Sequence, residues 1–368
     1  MNQKPTRLFS LDALRGFDMF WIMGAEAIFH RLGEIYPGSF LDAIGHQFNH
    51  PDWHGFAAYD LIFPLFLFIA GISTPYSIGK HLREGMDKSA LLKKVVKRGL
   101  VLVLLGVVYN NGLTLWPLSE VRIPSVLGRI GLAYMFANII YLYAKPMAQK
   151  IWLVGLLLGY WLLLTFFAAP GFAAGDLTMQ GNIVSYIDSI LIPGKLYLGI
   201  HDPEGLIATI PAIGTALMGI FTGNLLLKTT KEMQLDTVKK LLMYGVAALI
   251  IAFLWDLIFP FNKNLWTSSF TMLCAGISLL LMALFYYVID VKGYQKWAFF
   301  FKVIGMNSIL IYMSGRFISW SYSSDALTGW LQQLIGEPFN AVMSVIGFVG
   351  VQWLFLYFMY KKKVFLKV

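Results

Sequence analysis

The chain has 368 residues, of which 58% are hydrophobic, 16% aromatic and only 13% charged. Soluble domains carry about 25% charged residues, so this composition excludes an ordinary water-soluble core and points to a polytopic membrane protein. The net charge of +9 would suit a nucleic-acid binder, but in a membrane protein it is explained first by basic cytoplasmic loops.

Lipid offers no partner to a free backbone N–H or C=O, so apolar runs of about 20 residues read as helices, not barrel strands. Ten such runs are expected, near 8–29, 57–79, 99–116, 124–144, 151–169, 206–227, 241–259, 266–289, 299–320 and 340–360. The fold class is therefore all-α, with about ten transmembrane helices. No linker or repeat divides the chain, so residues 1–368 are expected to form a single domain. The first run carries Asp12, Arg15 and Asp18 inside its apolar part. A cleavable signal core avoids such charges, so the run reads as a retained span.

An N-terminus in the cytoplasm places 22 of the 29 lysines and arginines in inner segments. Four, Arg31, Arg122, Lys195 and Lys263, fall in outer loops. That asymmetry predicts cytoplasmic termini and sorts the chemistry. The outer face collects His30, His46, His50 and His54, the stretch HDPEG (His201 to Gly205) and the stretch PFNKNLW (Pro260 to Trp266).

The remaining three basic residues, Arg15, Arg129 and Arg316, fall inside spans, where an ionised side chain costs about 2.5–3.5 kcal/mol on insertion scales. Arg15 shares a helical face with Asp12 and Asp18, which fits a packing salt bridge as well as a charged-ligand site. Arg129 and Arg316 have no acidic neighbour in sequence. All three are candidates to meet the phosphates of an anionic ligand.

His46, His50 and His54 recur every four residues, but Pro51 interrupts any helix through them, and no metal-ligand pattern accompanies them; no metal is expected. Cys274 is the only cysteine, which rules out an intramolecular disulfide, and its apolar surroundings read as core. His50 and Asp60 stand out. An imidazole beside a carboxylate at a membrane surface suits a base or nucleophile held in one tautomer. Their sequence spacing alone does not show that they touch.

The ordered set RLFSLDALRG (7–16), HPDWHGFAAYDLIFPLFLFIAG (50–71), RIPSVLGRIGLAY (122–134), DPEGLIATIPAIGTALMG (202–219), NKNLWTSSF (262–270), DVKG (290–293), GMNSILIY (305–312) and YKKKVFLKV (360–368) resembles the heparan-α-glucosaminide N-acetyltransferase family. That family and its bacterial relatives belong to the transmembrane acyltransferase group. The resemblance covers nearly the whole chain and implies an acetyl-CoA-dependent N-acetyltransferase. Such an enzyme moves acetyl from the cytosol to the amino group of a glucosamine-type sugar outside.

In that reading His50 is the catalytic histidine and Asp60 its partner. Arg15, Arg129 and Arg316 would meet CoA. Glu26, Asp202, Glu204, Asn262, Lys263 and Asn264 would line the acceptor side, with Asn262, Asn264 or an intramembrane arginine as oxyanion donor. Glu26 stands where the animal enzymes carry asparagine, and the loop from there to His50 is longer, which bears on the identity of the acceptor. The implied location is a bacterial inner membrane, and a homodimer is one admissible assembly. The competing readings are an amino-sugar or oligosaccharide permease and a glycan O-acetyltransferase. A permease would be expected to show inverted repeats.

Overall fold

The computed structural model describes residues 8–366; Lys4, Arg7 and Lys367, counted above as inner charges, lie outside them. In chain order the helices are α1 Phe9–Phe20, α2 Ala27–Ile35, α3 Phe40–His46, α4 Ile62–Tyr76, α5 Ile78–Arg83, α6 Lys88–Asn111, α7 Val126–Tyr143 and α8 Pro146–Phe166. They continue as α9 Ile183–Leu191, α10 Thr209–Leu227, α11 Gln234–Asp256, α12 Ser268–Phe285, α13 Ala298–Gly305, α14 Ser308–Phe317, α15 Trp320–Ile335 and α16 Asn340–Lys361. Among the described residues no strand forms beyond one isolated bridge, Ala168 to Asn182.

Among the described residues seven helical stretches are long and apolar enough to cross a bilayer, and the bent pair α13–α14, angled by 65°, makes an eighth. Ten were expected, and the two differences have local causes. The run near 8–29 is not one helix. α1 passes into a π turn at Trp21–Ala25, where Gly24 takes φ +105°, and α2 resumes beyond it. The run near 99–116 is the second half of α6, whose first half carries Lys88, Lys93, Lys94, Lys97 and Arg98, so composition dilutes its apolar signal.

Successive long helices run antiparallel, while α4 and α10, which start at the same end, run parallel and are brought close by small residues. Gly219 and Gly223 of α10 lie against the α4 backbone. A Cβ on Gly219 would land on the Phe68 carbonyl and 3.1 Å from Gly71 Cα. Such spacing of small residues is how helices pack without a hydrophobic drive between them. It also sets the position of α4, whose first turn carries the polar residues of the site.

The two ends of the bundle differ. One gathers the starts of α4, α7, α10 and α12 with the ends of α6, α11 and α14. The other gathers the start of α1, tied by the Ser10 amide to the Asp290 carboxylate at 3.2 Å, and the ends of α4, α7 and α16.

Candidate active site

The chain enters α4 through a single 3₁₀ turn, Ala58–Leu61, which turns Asp60 inward until it is wholly buried. A buried carboxylate must have its acceptors filled. One oxygen accepts the Ala57 amide at 2.9 Å and the other lies 2.6 Å from His50 Nδ1. The proton of that contact belongs on Nδ1, because a carboxylate can only accept. His50 Nε2 is thereby left with its lone pair toward the open side, and the imidazole side chain is 46% exposed.

Lys263 completes the group from 213 residues away. Its ammonium sits 3.0 Å from His50 Nε2 and 3.5 Å from the Asp60 carboxylate. Burial pulls its pKa down, against the opposing charges of Asp60 and Glu204. The loop that presents it is tightly tied. The Gly55 amide donates to the Phe261 carbonyl at 2.8 Å, and the Asn262 side-chain amide donates to His54 Nδ1 at 3.2 Å. Asn262 Oδ1 caps the Leu265 amide at 2.8 Å, and Trp266 takes a left-handed φ of +51°. Burial lowers the pKa of His54, with Asp256 opposing, which suits a neutral ring accepting that bond.

A second charged group faces the first. Arg122 makes two parallel 2.8 Å bonds to Asp202, reaches Glu204 and lies over the Tyr197 ring at 4.5 Å. Burial opposes its charge, but Asp202 and Glu204 hold its pKa above the ordinary value. Asp202 also accepts the amides of Tyr197 and Glu204, each at 3.0 Å. His201 supports the same turn. Burial pushes its pKa down to about 4, its Nε2 donates to the Asn264 carbonyl at 3.2 Å, and its Nδ1 accepts from the Ser185 hydroxyl at 2.8 Å.

Two cavities meet here. A polar one of about 350 Å³ is lined by His50, Arg122, Tyr197, Glu204, Lys263 and Asn264 among others. An apolar one of about 160 Å³ runs between helices past Met19, Ile22, Phe63, Phe66, Leu127 and Ile309. His50, Glu204, Lys263, Val126 and Tyr312 line both. Tyr312 stacks on Tyr109 with ring centres 4.3 Å apart.

The structure brings together His50, Asp60, Glu204, Lys263 and Asn264 of the residues singled out in the sequence. It does not bring the three arginines together. Arg15 lies toward the other end, bonded to Ser73 at 2.9 Å and paired with Asp12 at 3.4 Å. Arg129 is 1% exposed, donates to the Gly205 carbonyl at 3.0 Å and lies over Trp266. It lines neither cavity, and its Nε and Nη1 are buried without a hydrogen-bond partner. Arg316 is exposed at the end of α14, beside Gly112.

Asp202 and Asn262 line neither cavity; Asp202 holds Arg122 and two backbone amides, and Asn262 ties its loop to His54 and Leu265. Glu26 lines neither cavity. His46, His50 and His54 take three different partners, Asp42, Asp60 and Asn262, and among the described residues no three acidic, histidine or cysteine side chains converge as a metal site. Sequence reasoning missed Arg122, Tyr109, Tyr197 and Tyr312. The one signal was Arg122, an arginine that the charge distribution expects on the same side as the acids of HDPEG.

Residues 7–192 match the family model described as a domain of unknown function, DUF5009. The chain belongs to the DUF5009 family. The matched DUF5009 region contains His50, Asp60 and Arg122, while Glu204, Lys263 and Tyr312 come from beyond it. The chain is also similar to heparan-alpha-glucosaminide N-acetyltransferase of Homo sapiens, 29% identical over 85% of this chain and 53% of the relative. The Mus musculus protein of the same name is 29% identical over 87% of this chain and 56% of the relative. This DUF5009 chain thus spans about half the length of the curated relatives it matches.

Proposed function

We propose that this protein is a membrane-embedded N-acetyltransferase that moves acetyl from acetyl-CoA to the amino group of a glucosamine-type sugar. Residues 1–368 would act as one transmembrane acyltransferase domain. The carrying observation is the placement of His50 and Lys263 where a polar cavity meets an apolar one. A thioester arm suits the apolar side, and a hydroxyl-rich amine suits the side lined by Arg122, Glu204 and the stacked tyrosines. The similarity to the named acetyltransferases supports the same reading.

The reaction needs an amine freed of its proton and a carbonyl made electrophilic. The amine nitrogen attacks the thioester carbon while His50 Nε2 takes the amine proton. The ammonium of Lys263, already within hydrogen-bond distance of Nε2, turns to the developing oxyanion. The C–S bond then breaks, and the CoA thiolate recovers the proton from His50. Asp60 holds the ring in the one tautomer that leaves Nε2 able to accept. Direct transfer is preferred to an acetyl-His50 relay because His50 is half-exposed, and an acyl-imidazole there would meet water.

The site end is assigned to the extracytoplasmic side of a bacterial inner membrane, from the 22-to-four distribution of basic residues. Single cysteines at Gln47 and Ala90 test it: an impermeant reagent should label the first and spare the second in intact cells. The function is tested with purified protein in liposomes, labelled acetyl-CoA on one side and amino sugars on the other. Labelled N-acetyl sugar is the expected product. Sugar uptake without acetylation would favour a permease and refute the assignment.

A further inference from the structure

At the end of the bundle opposite His50 lies a cavity of about 530 Å³ that none of the three intramembrane arginines defines. Its walls carry Lys302 from α13, Lys361 from the end of α16 and Lys363 from the tail beyond it, with Phe9, Tyr360 and Phe365 as aromatic lining. Among the described residues the one acid on the wall, Asp12, is paired with Arg15 at 3.4 Å. A basic, aromatic-lined cavity matches phosphates attached to a base, because cations meet the phosphates and rings stack on the base.

Two features show that this wall is built and not a loose end. The tail is clamped where α13 and α14 bend apart. The Asn307 side-chain amide donates to the Val364 carbonyl at 2.9 Å, and its oxygen accepts the Leu366 amide at 3.0 Å. The tail turns because Lys363 takes φ +56°, with the Val364 amide closing on the Met359 carbonyl at 2.9 Å. That is the left-handed helix-ending position where glycine is usual. A lysine there carries backbone strain that a glycine would not.

The cavity lies in line with the apolar one. α1 lines both, with Asp12 on one and Met19 on the other, about 10 Å apart at 1.5 Å per residue. The α13–α14 segment also lines both, through Met306 and Ile309. We propose that this cavity holds the phosphate-bearing nucleotide end of the CoA donor, with Lys302, Lys361 and Lys363 as its phosphate contacts. The pantetheine arm would then reach His50 along α1. The proposal rests on the acetyl-CoA reading above and adds the place where the nucleotide is held. Phosphate on a lipid headgroup would meet the same lysines; the aromatic lining and the continuity with the apolar cavity favour the nucleotide.

The test compares acetyl-CoA with acetyl-pantetheine, which lacks the nucleotide, in parent, Lys302→Gln and Lys363→Gly proteins. All are reconstituted in nanodiscs of phosphatidylcholine alone and with phosphatidylglycerol. The parent should prefer acetyl-CoA in kcat/KM, and each variant should lose about tenfold of that preference in both lipids. Lys363→Gly should do so without lowering Tm, since it relieves the left-handed lysine, so misfolding cannot account for its loss. A parent that transfers acetyl from both donors without preference, or variants that keep the preference, would overturn this inference and leave the acetyltransferase reading standing. A defect seen only with phosphatidylglycerol would assign the cavity to lipid and overturn it as well. Calorimetry with CoA itself reads the cavity without any transfer: the variants should bind about tenfold more weakly than the parent, and equal binding refutes the site.

Discussion

His50 Nδ1 and Asp60 Oδ1 stand 2.6 Å apart, the carboxylate wholly buried and the imidazole half-exposed. Both Asp60 oxygens act as acceptors, one for the ring and one for the Ala57 amide. An amide in place of the carboxylate has only one oxygen. Keeping the Ala57 bond turns its NH₂ toward His50 and forces the proton onto Nε2. Asp60→Asn is therefore expected to lower kcat by about 10³–10⁴-fold, as loss of the orienting carboxylate does in triads. His50→Ala should lose at least as much while still binding acetyl-CoA. Near-normal turnover by a folded His50→Ala protein would remove His50 from the mechanism.

Lys263→Met keeps the volume and removes the ammonium. Loss of one oxyanion donor lowers kcat by about 10²–10³-fold, and KM for acetyl-CoA should move little. Steady-state kinetics decide the matter. A change confined to KM of the sugar would make Lys263 an acceptor contact instead.

His201 makes stability depend on pH. Its folded pKa is held at about 4 by burial, against an ordinary 6.5, so the unfolded chain binds the extra proton first. Its contribution is fully present above pH 6.5 and is lost as pH falls toward 4, by at most about 1.4 kcal/mol per pH unit. Thermal melts should show Tm falling across that window. His201→Gln, which cannot charge, should flatten the fall; an unchanged slope counts against the assignment.

Gly219→Ala tests the packing beneath the site. Its Cβ meets the α4 backbone at Phe68, which cannot yield as a flexible side chain can. Overpacking of this kind costs about 1–3 kcal/mol. A lower Tm together with reduced activity is expected, because α4 carries Asp60. An unaltered melt would mean that α4 and α10 separate freely.

Composition and the spacing of apolar residues determined the all-α membrane class, because lipid leaves a backbone only the helix or the closed barrel, and apolar runs of about 20 residues fit the helix. His50 and Asp60 were singled out in the sequence as well, but their spacing did not show contact; the 2.6 Å approach is a finding of the structure. The tertiary structure alone decided that Lys263 touches His50, that Arg122 holds Asp202 and Glu204, and that Arg129 is buried against the Gly205 carbonyl. Those contacts join segments 76 to 213 residues apart, and no local periodicity encodes them. They follow from which helix ends the close α4–α10 packing and the antiparallel order bring to one side.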